Sequence, residues 1–499
     1  MNLHVRFRFG NWESRFFRPC DLMRRNAVGP VKRTVFQNIK MLWPGLRPVW
    51  WGGAAALASL ISCRPQNVSE EKALRMQLTH EMRHHSYESG VPLARRLIRI
   101  APQDQKVWKR LVQAQIGLHD FDGARGSLGD WRATVRPLSA RVDEFEGDIL
   151  REEGNSGAAL QAWQRSIAIQ PKSRRVFAKI AALEQRDGRW ADAIATWTRA
   201  LQVHDNATAR LNRAVCHRRL RHWNEAFGDL HHAQKLGPED AEVQRWSRLF
   251  ENVSKFLDEI REFDARVAAI PDDPGLLADR ALLMLRGGDP ELSLDDAEQA
   301  VRLAPWAVRP KLFKALALIA LNRGRECESL SVRLPLRLES LTPEFLETIN
   351  RIDSAISVER GNPDHYAARA WQLNEIGQPL LGFDDAQVAV RLDAKSANGW
   401  AEVSYALTKL GRGQEAFEKI KRATELDPNL ATAWQYRGEL EMAHGDNLAA
   451  IDSFSRALGI EKTSAALQKR EECYRRLGLR ARADEDRRAL QELTSRTLH

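Results

Sequence analysis

A period of 33 or 34 residues constrains this 499-residue chain more than any other property of it. The stretch from Ala397 to Pro428 shows the unit most plainly. With Ala397 as position 1, Trp400 falls at 4, Val403 at 7, Ser404 at 8, Leu407 at 11, Gly411 at 15, Ala416 at 20, Ile420 at 24, Ala423 at 27 and Pro428 at 32. Trp400, Val403 and Leu407 recur at spacings of three and four, which places them on one face of a helix. Gly411 supplies a turn, where a residue free to take positive φ costs little. Ala416 and Ser404 are small where a returning second helix must cross the first, and Pro428 ends that helix. One such pair cannot bury its own apolar stripe, so it needs like neighbours on both sides.

Units in the same register recur along the chain. A degenerate first unit begins near Glu71 and ends near Pro102; the second carries Trp108, Leu111, Val112, Ala124 and Leu128. The third runs from Ala140 through Gly147, Gly154, Ala159 and Trp163 to Pro171, the fourth has Phe177, Gly188, Ala193 and Trp197, and the fifth Ala214, Ala226, Leu230 and Pro238. Residues 241–273 lack the Gly and Ala markers, and a recognisable unit returns from Pro274 to Pro305. After the helix KLFKALALIALNRG comes an irregular stretch with Pro335 and Pro343. Clean units then follow from Pro363, Ala397 and Ala431, and a charge-rich terminal helix suits the polar outer face of a cap. This pattern resembles the tetratricopeptide repeat. The resemblance implies an all-α, right-handed α-solenoid of about twelve helix-turn-helix repeats. The expected organisation is a leader at 1–63, a tether at 64–70, a first block at 71–330, an irregular joint at 331–362 and a second block with its cap at 363–499.

The net charge of +10 would ordinarily point to nucleic acid or an anionic membrane. Its location argues otherwise. Residues 1–63 hold 10 Lys and Arg against 2 acids; removing these from the totals of 76 and 66 leaves a balanced 66 against 64. The first 40 residues are Arg-rich, as in a mitochondrial-type transit peptide, or else lie upstream of the true start. Met41 opens an export signal of its own, MLWPGLRPVWWGGAAALASLISC, whose apolar run from Val49 to Ser62 is shorter than the ~20 residues a bilayer span needs. Its end, Leu60-Ile61-Ser62-Cys63, resembles the lipobox of bacterial lipoproteins, which implies that Cys63 becomes an acylated N-terminus and that the protein is exported and membrane-anchored. The five Cys, at 20, 63, 216, 327 and 473, show no disulfide or metal-ligand spacing.

His80-Glu81-Met82-Arg83-His84 satisfies the HExxH pattern, in which two His hold zinc and the Glu activates water. Arg83 would bring a positive charge beside the metal, Tyr87 stands where the extended motif has Gly, and the pentapeptide sits inside a repeat with no room for a protease fold. A solvated helix end is therefore the expectation. Cys216, His217, His222, His231 and His232 cluster in one repeat without a ligand rule. The 15 Trp suggest a stacking platform, but Trp108, Trp163, Trp197, Trp400 and Trp434 occupy positions 4 or 24, which are core.

In tetratricopeptide proteins positions 2, 5, 9, 12 and 13 of the first helix line the concave groove. Here the second block supplies Trp371, Asn374, Glu375, Tyr405, Thr408, Lys409, Gln435, Glu439 and Met442. Mixed charge with aromatics suits a protein or peptide segment better than a phosphate backbone. The expectation is a non-catalytic scaffold for a protein partner, without cofactor or nucleic acid. A zinc protease at HEMRH and an RNA-binding helical repeat are the rivals.

Overall fold

The computed structural model describes residues 65–496, so Cys63 and the leader lie outside the described residues. The described chain falls into two compact units that divide between Pro102 and Gln103. The first holds two helices, Pro65–Arg83 and Tyr87–Ile100, joined through His85 at φ 58°. The second unit is a succession of helical pairs. The fold is all-α, with about twelve helical pairs and no strand among the described residues, and the second unit is an α-solenoid.

Local chemistry sets the pairs. Side-chain oxygens cap first helices at Asp104, Ser139, Asp240, Asp273, Asn362 and Ser396, and Pro occupies the first turn at 274, 290, 343, 363 and 379. Between the helices of a pair the chain turns through one left-handed residue: Gly154, Gly188, Gly288, Gly377, Gly411, Gly445 and Gly478 have φ between 73° and 87°. His119, Arg221 and Asn322 hold the same turn position at φ 57–59° without glycine's freedom.

Within and between pairs the small residues do what their positions imply. Ala416 is fully buried, and the Ser404 hydroxyl donates to its carbonyl at 2.8 Å where the two helices cross. Gly147 lies so close to Trp163 that a Cβ there would meet the indole at 2.4 Å, and a Cβ at Gly438 would likewise meet the ring of Phe454 at 2.8 Å. Trp108, Trp163, Trp197 and Trp434 are buried; Trp400 is half-buried against the core and donates its indole N–H to the Ala394 carbonyl at 3.0 Å.

The interruption after residue 320 consists of 3₁₀ turns at Gly324–Leu330 and Leu338–Ser340, then a helix, Pro343–Val358. Its Cys327, Leu330, Val332, Leu336 and Leu341 share one core with Leu312 and Phe313 before it and Leu373 and Leu381 after it. Gln378 fastens the loop to the turn of the following pair. It accepts from the Arg333 amide at 2.8 Å and donates to the Arg333 carbonyl at 3.1 Å.

Candidate functional site

The groove positions of the second block come from the first helices of three consecutive pairs, Pro363–Glu375, Ala397–Lys409 and Ala431–Ala443. The structure brings most of them together around Tyr405. Its hydroxyl donates to Glu375, its ring stacks on Tyr436 with centroids 4.3 Å apart and planes at 3°, and the Lys409 ammonium lies 4.8 Å from its centroid. Gln435 donates to Glu439 at 3.2 Å, the Thr408 hydroxyl is taken by the Ser404 carbonyl, and Met442 packs against a core shared by its own second helix and the next pair. Trp371 is 44% exposed.

Two of the expected lining residues sit deeper than their spacing implies. Asn374 is 1% exposed and Tyr405 8%, because Asn374 is pressed between Gly382 of its own pair and Glu402 of the next, and Tyr405 lies between Glu375 and Tyr436 of the flanking first helices. Asn374 donates to Glu402 at 3.3 Å, and the Tyr436 hydroxyl donates to the other oxygen of Glu402 at 3.1 Å. The accessible face is therefore Trp371, Glu375 and Lys409, bordered by half-buried Thr408, Gln435, Glu439 and Met442. Burial, with Glu375 repelling, pushes the Glu402 carboxyl up to about 8. Burial also raises Glu439, as well as the Tyr405 and Tyr436 hydroxyls, whose ionisation the surrounding carboxylates oppose further.

The equivalent face of an earlier stretch is filled from within. Arg218 and Arg219 hold positions 12 and 13 of their unit. Arg218, 1% exposed, pairs with the fully buried Asp289 and with Glu291 of the second pair onward, its guanidinium 4.9 Å from the Trp246 ring. Arg219 reaches Asp295 at 3.0 Å, and Arg221 reaches Asp296 at 2.8 Å and Asp264 at 3.4 Å.

A further ionic device escaped the reading of the sequence, although its signal was there. Four units carry Arg at position 7 and Asp at 23: Arg213 with Asp229, Arg280 with Asp296, Arg369 with Asp385 and Arg470 with Asp486. Each guanidinium grips its carboxylate by Nε and Nη2, at 2.6–2.9 Å, tying the first helix to the second. The spacing of 16 residues was legible. Position 7 is apolar in the clearest unit, where it is Val403, so the unit that defines the register does not carry the signal.

The zinc motif stands at a helix end. His80 and His84 rings are 4.5 Å apart, and Glu81 accepts from the Ser89 hydroxyl at 2.7 Å. Cys216 is buried beside Gln185, His217 lies 5.7 Å from His222, and His231 lies 6.3 Å from His232. Among the described residues no group of three or more His, Cys, Asp or Glu side chains is placed to hold a metal ion, and no helix is long and apolar enough to cross a membrane.

Comparison with known families adds one match: residues 179–241 fit the tetratricopeptide repeat. The helical pairs of this chain are tetratricopeptide-like. Over 86 residues it is 32% identical to the small glutamine-rich tetratricopeptide repeat-containing protein 2 of Mycosarcoma maydis, a match spanning 17% of this chain and 24% of that protein's length. Among solved structures, MamA is 21% identical, covering 31% of this chain and 91% of MamA, with a TM-score of 0.26. YrrB, a TPR protein described as having an unusual peptide-binding site, is 18% identical over 41% of this chain and 96% of its own, with a TM-score of 0.23.

Proposed function

We propose that this chain is a non-catalytic scaffold that holds an extended protein segment along the first helices of residues 363–443, and that a lipid on Cys63 fixes it to a membrane on the exported side. The observation that carries the first half is the contrast between two stretches of the same repeat. Around Arg218 the groove positions are spent on ion pairs across alternate helical pairs, whereas Trp371 and Lys409 remain exposed. An exposed Trp beside a Lys and two Glu suits a peptide of mixed charge with an apolar anchor. The mechanism is positional: fixing a long surface at a membrane raises the effective concentration of whatever docks on it.

Binding of the purified chain to an immobilised peptide library tests the face. Trp371→Ala should weaken the selected peptides about tenfold or more, while Leu448→Ala, at an exposed second-helix position, leaves them unchanged. Equal effects at the two positions would refute it. The reading as an RNA binder predicts a steep loss of RNA affinity with added salt. Intact mass of the mature N-terminus tests the anchor: an acylated Cys63 is expected, and an unmodified N-terminus elsewhere, as after transit-peptide removal, would end that part of the proposal.

A further inference from the structure

Glu402 is a buried acid, 7% exposed, and no cation pairs with it. From the helix Pro363–Glu375 it meets Asn374 and, at longer range, Glu375. From Ala431–Ala443 it meets the hydroxyl of Tyr436. On its own helix Tyr405 gives its hydroxyl to Glu375, and Lys409 is drawn over the Tyr405 ring. The two second helices packed nearby, Pro379–Leu392 and Gly413–Leu426, bring no charged group to it. An isolated carboxylate in such a place lacks the partner that would offset its lost hydration.

Asn374 supplies an independent observation. Its Oδ1 is buried without a hydrogen-bond partner, pressed toward Gly382 so closely that a Cβ there would stand 2.4 Å from it. That same point is 3.0 Å from the Ala370 carbonyl oxygen, one turn back on the Asn374 helix. Rotating the amide by half a turn, a choice that heavy-atom positions leave open, brings Oδ1 to face the Glu402 carboxyl and turns Nδ2 to the Gly382 side. Oδ1 then has a partner only if Glu402 supplies a hydrogen. A carboxylate cannot donate; a carboxylic acid can.

We propose that Glu402 is a proton-held clasp: the seam joining these three first helices is assembled with the acid protonated, donating to Asn374 and accepting from Tyr436, and it loosens when the proton leaves. The direction follows from linkage. Folding holds the carboxyl at about 8, above its usual 4.5. Between these values the folded form keeps a proton that the unfolded form gives up, so the seam loses stability as pH rises from about 4.5 to about 8, and the loss is complete above. Loosening would free Glu375 and part the Tyr405–Tyr436 stack, making the proposed partner face sensitive to pH. The clasp does not itself rest on that face binding a partner, since it is testable on the free protein.

Hydrogen exchange of the full chain at about pH 6 and pH 9, corrected for the chemical exchange rate, tests it, with the helix pair at 105–134 as internal reference. Protection in 397–409 and 431–443 should fall at least roughly tenfold relative to the reference, the equivalent of one pKa unit or more. Glu402→Gln, whose amide both donates and accepts, should keep the low-pH protection at both pH values. Glu375→Gln, which removes the repelling charge, should move the wild-type midpoint to lower pH, and it reads out whether or not the first variant folds. A wild-type change no larger than the reference, or a Glu402→Gln protein that loosens along with the wild type, would overturn the clasp.

Discussion

Asp289→Asn is the substitution whose cost the structure defines best. Asp289 is fully buried and does two things: it receives the guanidinium of Arg218, itself 1% exposed, and it caps the helix Pro290–Leu303 by accepting from the Leu292 amide at 3.2 Å. Asparagine caps about as well as aspartate, so the substitution removes the charge and spares the cap. Breaking a buried pair on one side costs about 3–5 kcal/mol, because the other charge is left in the interior. Glu291 still touches Arg218 but is 51% exposed, so it offsets only a fraction, and about 3 kcal/mol is expected. Because the pair links the helices at 207–236 to those at 290–303, the loss should spread over that stretch. In native-state hydrogen exchange it corresponds to roughly a hundredfold loss of protection across 207–303, with 431–460 unaffected. Asp289→Ala should lose about 1 kcal/mol more through the cap. The double variant Arg218→Met with Asp289→Asn should recover most of the loss, since no charge is then stranded. If Asp289→Asn leaves protection unchanged, or the double variant is as weak as the single one, the Arg218–Asp289 pair does not join these helices.

Other outcomes follow from the same contacts. Gly147→Ala should destabilise the pair at 140–169 by about 1–3 kcal/mol in urea unfolding despite alanine's better helix propensity, because the new methyl displaces Trp163, whose indole donates to the Glu144 carbonyl at 3.0 Å. His119→Gly should stabilise by about 0.5–1 kcal/mol, relieving a left-handed residue at φ 57°. Arg369→Met, which strands both Asp385 and Asp353, should cost about 3 kcal/mol, and the paired change Arg369→Met with Asp385→Leu should return only part of it in the same assay, because Asp353 stays buried without its guanidinium.

Much of the architecture was legible because it rests on spacing. Gly411, Ala416 and Pro428 each answer a backbone or crossing requirement that only a few residue types meet, so the period survives in the letters. The departures have physical causes. His119, Arg221 and Asn322 take the glycine's conformation at a cost that the surrounding pair absorbs, so the turn is present without its marker. The loop at 324–341 packs through Cys327, Leu330 and Leu336 in no helical period, and nothing in its spacing announces a core. On the groove face, position alone put Asn374 and Tyr405 at the surface. Their depth depends on Glu402 and Tyr436 of neighbouring helices, which no single repeat contains.

The most direct test of the scaffold reading is site-specific photo-crosslinking in the native cell. A photoreactive residue would be placed in turn at 371 and 409 on the proposed partner face, at 219 where ion pairs fill the equivalent positions, and at 448 on a second helix. The account predicts one discrete crosslinked protein from 371 and 409, absent from 219 and 448. Equal crosslinking from all four positions, or a discrete product from 219 alone, would contradict it.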